Sequence, residues 1–206
     1  LTPGTSTFHI PAPLYLSGML DYSAMEQAFS DLIKRHEALR TVFRVIDDEP
    51  RQIIVPAYDY TIPVSDLSSL QHESDGADSS SSQVRELIEQ DIREPFDLAE
   101  GPLLRAKFYK LDTNKHAMII VLHHIVTDGW SMGIFVKELA GFYAAHTSGF
   151  QLPLEPLKIQ YGDFAEWQRD WLQGEVRERQ IAYWKTTLNN APERLEFPTD
   201  RPRPAV

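Results

Sequence analysis

The stretch VLHHIVTDGWS, residues 121–131, places two histidines side by side where an apolar segment ends. Residues 116–122 show no alternation of apolar and polar side chains, which predicts a strand covered on both faces. Neighbouring side chains on a strand point to opposite faces, so His123 and His124 cannot both line one pocket. One imidazole is therefore expected to pack inward and the other to face a site.

The residues that follow the two histidines favour a reactive site at this strand end. Gly129 permits either a close backbone approach or a positive φ. Trp130 and Ser131 begin a predicted helix, whose first amide groups point back toward the turn. An imidazole beside amide donors and a positive helix end suits proton transfer next to a carbonyl that develops negative charge. The alternatives are a core histidine with satisfied polar atoms and an Asp128 that only caps the helix.

Two other kinds of site fit the sequence poorly. A metal site made of His123, His124 and Asp128 conflicts with the alternation of side chains and has no further ligands nearby. A serine hydrolase of the α/β type would carry a G-x-S-x-G turn, and the sequence has none. The residues by themselves therefore indicate an acid/base pocket without naming its reaction.

The rest of the chain predicts an α/β sandwich with a mixed sheet. Asp21 is predicted to cap an amphipathic helix over residues 22–38, and the prolines at 11 and 13 predict an edge strand or an irregular strand at residues 8–18. Residues 57–82 are expected to be mostly loop. The other predicted elements are a hairpin at 41–46 and 52–55, a helix from Val84 to Ile92 and a strand at 102–111. Three further helices are predicted, one from Trp130 to an end at 146–149 and two at about 160–173 and 175–189.

Composition limits the kinds of partner. The 206 residues carry a formal net charge of −10, which argues against a nucleic-acid partner because that partner requires a basic face. No segment is long and apolar enough to predict a membrane span. The chain has no cysteine, which fits a cytoplasmic location. Because no initiator Met is present, we expect a piece of a longer polypeptide.

Three motifs together resemble the condensation domains of nonribosomal peptide synthetases. HHIVTDG at 123–129 has the HHxxxDG pattern of that family, within LHHIVTDGWS at 122–131. RHEALRTVF at 35–43 resembles a motif that precedes it in the family, and YGDFAEWQ at 161–168 resembles one that follows. The order and the separations also match, and the wider superfamily includes chloramphenicol acetyltransferase.

The resemblance implies a two-layer α/β lobe of the chloramphenicol acetyltransferase type. Residues 1–190 would form the N-terminal lobe of a condensation domain, and residues 191–206 a linker toward a C-terminal lobe that this chain lacks. The two lobes would enclose a tunnel in which two carrier-bound thioesters meet, so the lobe alone is expected to be inactive. Upstream and downstream peptidyl carrier proteins would present the substrates on 4′-phosphopantetheine, with no cofactor and no metal bound by the lobe.

The resemblance also implies roles for single residues. His124 would face the tunnel and accept or orient a proton, and amides near Gly129 would hold the oxyanion. His123 would hold the loop, and Asp128 would be structural, with Arg40 preferred over Arg35 as its partner. The residues expected to neighbour the tunnel or its loops are Trp130, Ser131, Tyr161 and Trp167.

Related functions remain open at this point. An epimerisation domain carries the same HHxxxDG pattern, and a free-standing CoA-dependent acyltransferase belongs to the same superfamily. A non-catalytic docking module for carrier proteins or tailoring enzymes is a third possibility. The intact second histidine and aspartate favour a catalytic condensation domain over that module.

Overall fold

The computed structural model describes residues 5–71, 77–150 and 152–192, together with 198, 200 and 201, and only the backbone of 70, 71 and 77–83. The described chain divides into two compact units, with the boundary between Gly162 and Asp163. The first unit holds all the strands of the described chain and the two histidines of the motif.

A mixed four-stranded sheet forms the centre of the first unit, and a separate hairpin accompanies it. The strands are β1 His9–Ser17, β2 Thr41–Ile46, β3 Glu49–Ile54, β4 Val64–Asp66, β5 Leu104–Asp112 and β6 Lys115–His123. The sheet order is β1-β6-β5-β4, in which β4 runs parallel to β5 and the other pairs are antiparallel. The hairpin of β2 and β3 turns through Asp47 and Asp48, both at positive φ, as a tight hairpin requires.

Three helices of the first unit cover both faces of the sheet: α1 Tyr22–Arg35, α2 Ala77–Arg93 and α3 Gly129–Ser148. The other helices of the described chain are α4 Tyr161–Trp171 and α5 Gly174–Thr187, and 3₁₀ turns lie at Glu37–Arg40 and Ser68–Gln71. On one face, α1 and α3 pack with the sheet around fully buried Phe29, Leu32 and Phe108. On the other face, Val84 and Ile88 of α2 pack against β5 and β6.

The burial of β6 follows from this arrangement. From His116 to His123 every residue is buried, with Ile120 and Leu122 facing α1 and α3 and Ile119 and Val121 facing α2. The strand also has a hydrogen-bonded neighbour at each edge. The predicted α/β sandwich with a mixed sheet is confirmed, as is the prediction of a strand covered on both faces.

Most predicted elements lie where the sequence indicates, with some differences. Asp21 caps α1 through a bond from the Ala24 amide (N···O 2.9 Å), and β1 is an edge strand. The first helix ends at Arg35, and a 3₁₀ turn replaces its last residues. The prediction of loop at 57–82 is wrong in part, because β4 forms by pairing with distant β5 and α2 begins at Ala77.

The second unit contains most of α4 and all of α5. Its aromatic rings pack on one another along the helices: Trp167 stacks on Trp171 with ring centroids 5.7 Å apart, and Tyr183 meets Trp184 edge to face. Most of the predicted linker at 191–206 lies outside the described residues. Among the described helices, none combines the length and apolar character needed to cross a membrane.

Replacing Phe29 by alanine tests the main core. Phe29 is fully buried on α1, stacks on Tyr60 and meets Phe135 edge to face. We expect Phe29→Ala to lower the free energy of unfolding by about 3–5 kcal/mol, because the cavity is enclosed by helices and sheet. Urea unfolding measures the change. Met19→Ala is the matched control, since Met19 is 93% exposed, and an equal loss in both variants would contradict this core.

Candidate active site

The two histidines are held by backbone bonds from both sides of β6. The amide of His123 donates to the Leu103 carbonyl (3.0 Å), and the amide of His124 donates to the Phe8 carbonyl (2.8 Å). His123 also lies directly opposite His9 in the register of β1 and β6. The end of β6 is therefore fixed by the residue that precedes β5 and by the residue that precedes β1.

The two imidazoles have different surroundings. The ring of His123 is buried, with only 6% of the residue exposed, whereas His124 is exposed. This is the difference that alternation along a strand requires when only one side of its end is covered. His124 is thus the imidazole that a ligand can reach.

His123 holds the turn that follows the strand. Its Nδ1 accepts a hydrogen bond from the Ile125 amide (3.1 Å), and its carbonyl accepts one from the Val126 amide (3.0 Å). Burial lowers the pKa of His123, and the nearby His9 and His124 lower it further. Because Nδ1 is an acceptor, the neutral ring carries its proton on Nε2.

Asp128 caps α3. Its Oδ1 accepts hydrogen bonds from the Ser131 amide (2.8 Å) and hydroxyl (2.7 Å), while its carbonyl accepts one from the Met132 amide (3.0 Å). The bond from the Ser131 amide is the main cause of the lowered pKa of Asp128, followed by the Ser131 hydroxyl, with smaller contributions from the Trp130 amide and His124. The carboxylate is exposed to solvent.

The predicted ion pair between Asp128 and Arg40 is wrong. Arg40 lies in the 3₁₀ turn before β2, where it donates to the Val55 carbonyl (2.7 Å) and pairs with Glu37 (3.2 Å). The physical reason is that Asp128 is exposed and already satisfied by the helix it caps, so it needs no buried cation.

Arg35, the less favoured partner, also binds elsewhere. Its Nε lies 3.2 Å from the Glu138 carboxylate, and its Nη1 donates to the Glu155 carbonyl (2.7 Å). His36 reaches the same Glu138 carboxylate at 2.6 Å. Since Glu138 lies on α3, the start of the RHEALRTVF motif ties α1 to α3.

Gly129 lies at the first position of α3, and its φ is not positive. Of the two reasons that the sequence offers for a glycine here, only the close approach of another group to its backbone remains. A Cβ built on Gly129 would meet no atom of the described residues within 4 Å. Next to it, Trp130 is 82% exposed. Packing within the described residues therefore does not demand a glycine here.

The other predicted residues are distributed as follows. Ser131 acts through the cap, and Tyr161 is exposed at the start of α4. Trp167 is exposed in the second unit and stacks on Trp171. Within the described residues, no group of three or more His, Cys, Asp or Glu side chains is arranged to hold a metal ion.

Sequence reasoning missed the side chains that surround His123. The rings of Phe8, His9 and Phe96 lie with their centroids 6.1, 6.2 and 6.1 Å from that of His123. Phe8 and His9 are more than a hundred residues away in sequence, and only the register of β1 and β6 brings them to the motif. The sequence contains no local signal for this contact.

The condensation domain family matches residues 1–206. One of the linear gramicidin synthase subunits of Brevibacillus parabrevis is 44% identical over 206 residues, and the chain spans 3% of its length. An X-domain solved in complex with OxyB from teicoplanin biosynthesis is similar at 27% identity and a TM-score of 0.79, covering 100% of this chain and 43% of that one. The starter condensation domain of rhizomide synthetase has the same fold at 23% identity and a TM-score of 0.77, covering 92% of this chain and 44% of that one.

The fold is thus an α/β fold of the chloramphenicol acetyltransferase type. The chain belongs to the condensation domain family.

The cap at Asp128 predicts different effects for two substitutions. Asp128→Ala removes the acceptor for Ser131 and should lower Tm by about 2–4 °C, the scale of a lost helix cap in a protein of this size. Asp128→Asn keeps an oxygen at the cap and should retain nearly the wild-type Tm at neutral pH. Because the folded pKa of Asp128 is lowered, the wild-type advantage over Asp128→Ala should shrink as the pH falls below about 4. An equal loss of Tm in Asp128→Ala and Asp128→Asn would indicate that Asp128 stabilises the fold through a charge partner and not through the cap.

The buried neutral His123 predicts a loss of stability in mild acid. An unfolded histidine titrates near 6.5, and the folded ring binds its proton only at lower pH. The unfolded state therefore binds more protons below about pH 6.5, and the free energy of unfolding should fall there. His123→Asn keeps an acceptor near the Ile125 amide but does not titrate. The free energy of unfolding of this variant should therefore depend less steeply on pH than that of the wild type. Urea unfolding between about pH 5 and 8 compares the two slopes, and identical slopes would contradict a neutral His123.

Proposed function

We propose that this chain supplies the histidine side of a site that forms an amide bond between two carrier-bound aminoacyl or peptidyl thioesters. The observation that carries the proposal is the exposed imidazole of His124, on a backbone fixed by Phe8, beside the first turn of α3. An accessible imidazole on a fixed backbone suits general acid/base catalysis or the orientation of a nucleophile.

The proposed reaction is an aminolysis of the donor thioester. The acceptor amine attacks the thioester carbonyl carbon, a C–N bond forms, and the carbonyl oxygen becomes an oxyanion. His124 takes a proton from the attacking nitrogen and returns it to the departing sulfur as the C–S bond breaks. The products are the amide on the acceptor carrier and the free thiol of the donor arm, so neither an oxidant nor a reductant is needed.

The amide of Gly129 is the donor that we assign to the oxyanion. The Ser131 and Met132 amides already bind Asp128, and the Trp130 amide also points to its carboxylate. Gly129 begins the helix, where the dipole favours negative charge, and no atom of the described residues lies within 4 Å of a Cβ built on it. The open space supports a role for Gly129 in letting a substrate carbonyl approach the backbone.

The proposal includes partners and a second wall. Upstream and downstream peptidyl carrier proteins would deliver substrates on 4′-phosphopantetheine, and a C-terminal lobe would close the tunnel over His124. Residues 1–190 would form the N-terminal lobe and 191–206 the linker. Closure excludes water from the dipoles at α3, which strengthens their effect on the oxyanion.

A docking function is the second candidate, because the X-domain that this chain resembles was solved in complex with OxyB. In that case His124 would carry no chemistry, and its substitution would leave the activity of a partner enzyme unchanged. The intact HHIVTDG motif and the exposed His124 favour the catalytic proposal over docking alone.

Substituting His124 tests the catalytic proposal. In a complete condensation domain with loaded carriers, His124→Ala should slow single-turnover peptide transfer by about 10²–10⁴-fold, the usual scale for a positioned acid/base group. Its Tm should stay close to wild type, because the ring is exposed. Mass spectrometry of the acceptor carrier measures the transfer.

The matched control is His146→Ala. His146 lies in the last turn of α3, where it pairs with Asp31 at 2.8 Å. We expect its removal to leave the transfer rate unchanged. A wild-type rate in well-folded His124→Ala would remove the imidazole from the mechanism and support docking or another catalytic group.

A further inference from the structure

His9 has a side chain that the proposed reaction does not use, yet it is firmly fixed. Its Nδ1 lies 2.6 Å from the Ile92 carbonyl in the last turn of α2. A carbonyl only accepts, so Nδ1 carries the proton and the Nε2 of a neutral ring is an acceptor. Nε2 is buried, and within the described part of the chain it has no hydrogen-bond partner. A buried acceptor without a hydrogen-bond partner is unusual in a folded protein.

The ring of His9 packs beneath the motif. It lies opposite His123 in the strand register, with ring centroids 6.2 Å apart and planes at 67°. Phe96 meets both imidazoles edge to face, at 4.9 Å from His9 and 6.1 Å from His123. The three rings therefore form one cluster, the imidazole–phenyl cluster of His9, Phe96 and His123.

Arg105 fixes the cluster from the side of α2. Its guanidinium lies 3.9 Å from the centre of the Phe96 ring, a cation–π contact. It also donates to the carbonyls of Asp91 (3.4 Å) and Pro95 (3.0 Å) and to that of Glu94 at the end of α2. Arg105 and His9 thus both bind carbonyls in the last turn of α2. These bonds hold the end of α2 next to Phe96 and His9.

The cluster connects to His124 along two short routes. Through the backbone, the residue before His9 is Phe8, whose carbonyl accepts the His124 amide. Through side chains, His9 packs on His123, whose Nδ1 accepts the Ile125 amide and so shapes the turn on the far side of His124. His9 therefore supports both flanks of the residue that is proposed to react.

We propose that His9 is a positioning residue for His124: its bond to Ile92 anchors α2 to β1 and holds His123 and the turn in the reactive geometry. The proposal rests on the function proposed above for His124. It predicts that losing the Nδ1 donor of His9 lowers kcat more than it raises KM, because this part-buried contact acts on the geometry at His124 and not on carrier binding.

Two variants separate the hydrogen bond from the packing. His9→Phe keeps an aromatic ring against Phe96 but loses the donor to Ile92. His9→Asn loses the ring but places an amide N–H close to the position of Nδ1. In a complete condensation domain with loaded carriers, we expect His9→Phe to lower kcat by about 10-fold, since small displacements of reacting groups have such effects, and His9→Asn to recover most of that loss.

Nitrogen-15 NMR of the histidines supplies a readout that general loss of stability would not move. In the wild type His123 is expected as the Nε2–H tautomer, because Nδ1 accepts the Ile125 amide. In His9→Phe we expect a mixture of tautomers at His123, and in His9→Asn the wild-type tautomer. A wild-type kcat together with an unchanged tautomer in His9→Phe would overturn the positioning role.

A parallel measurement on His124→Ala distinguishes the two proposals. If His124→Ala is inactive while both His9 variants match wild type, the positioning role fails and the proposed function stands. If His124→Ala is fully active, the proposed function fails.

If His9→Phe does not fold, His9→Gln replaces it. The Gln side chain places its amide near the position of Nε2, so it does not restore the donor to Ile92. Equal kcat values for His9→Gln and His9→Asn would then overturn the proposal.

Discussion

The burial of β6 on both faces and along both edges is the constraint on which the rest of this structure depends. A strand that is paired with β1 and β5 and packed between α1, α2 and α3 cannot shift its register by one residue without moving every side chain from one packed core to the other. The last residue of such a strand is therefore placed with the precision of the core. The chain uses that position for His123, and the next residue, His124, is the first to leave the covered sheet.

Some residues of the HHIVTDG motif hold the turn, and others contribute exposed groups. His123 and Asp128 satisfy the backbone on either side of the turn, one by accepting the Ile125 amide and the other by capping α3. Both do so with local partners, and neither draws on a distant charge. His124 and Gly129 lie between and beside these anchors and contribute exposed groups. A rigid frame with few free polar groups suits the proposed reaction, in which two large thioester arms must meet in one geometry.

The helix that follows the motif is placed by contacts far from the histidines. Arg35 and His36 both meet Glu138 in the middle of α3, and Phe135 and Leu139 pack into the main core. The RHEALRTVF motif thus acts on the site through the position of α3, with no direct bond to Asp128. The helix in turn determines where its first amides point, and the proposed oxyanion contact at Gly129 depends on that direction.

The sequence by itself determined the elements whose signals are local. The uniform apolar character of β6, the cap at Asp21 and the alternation that separates His123 from His124 could all be predicted, because each depends on neighbours along the chain. The motif spacing likewise identified the family. Only the tertiary structure decided which groups meet across the sheet. The pairing of β4 with β5, the partners of Arg35 and Arg40, and the position of His9 opposite His123 depend on register and packing between segments far apart in sequence. A residue such as Arg40 has several carboxylates and carbonyls to choose from, and the folded geometry, which local pattern does not encode, selects among them.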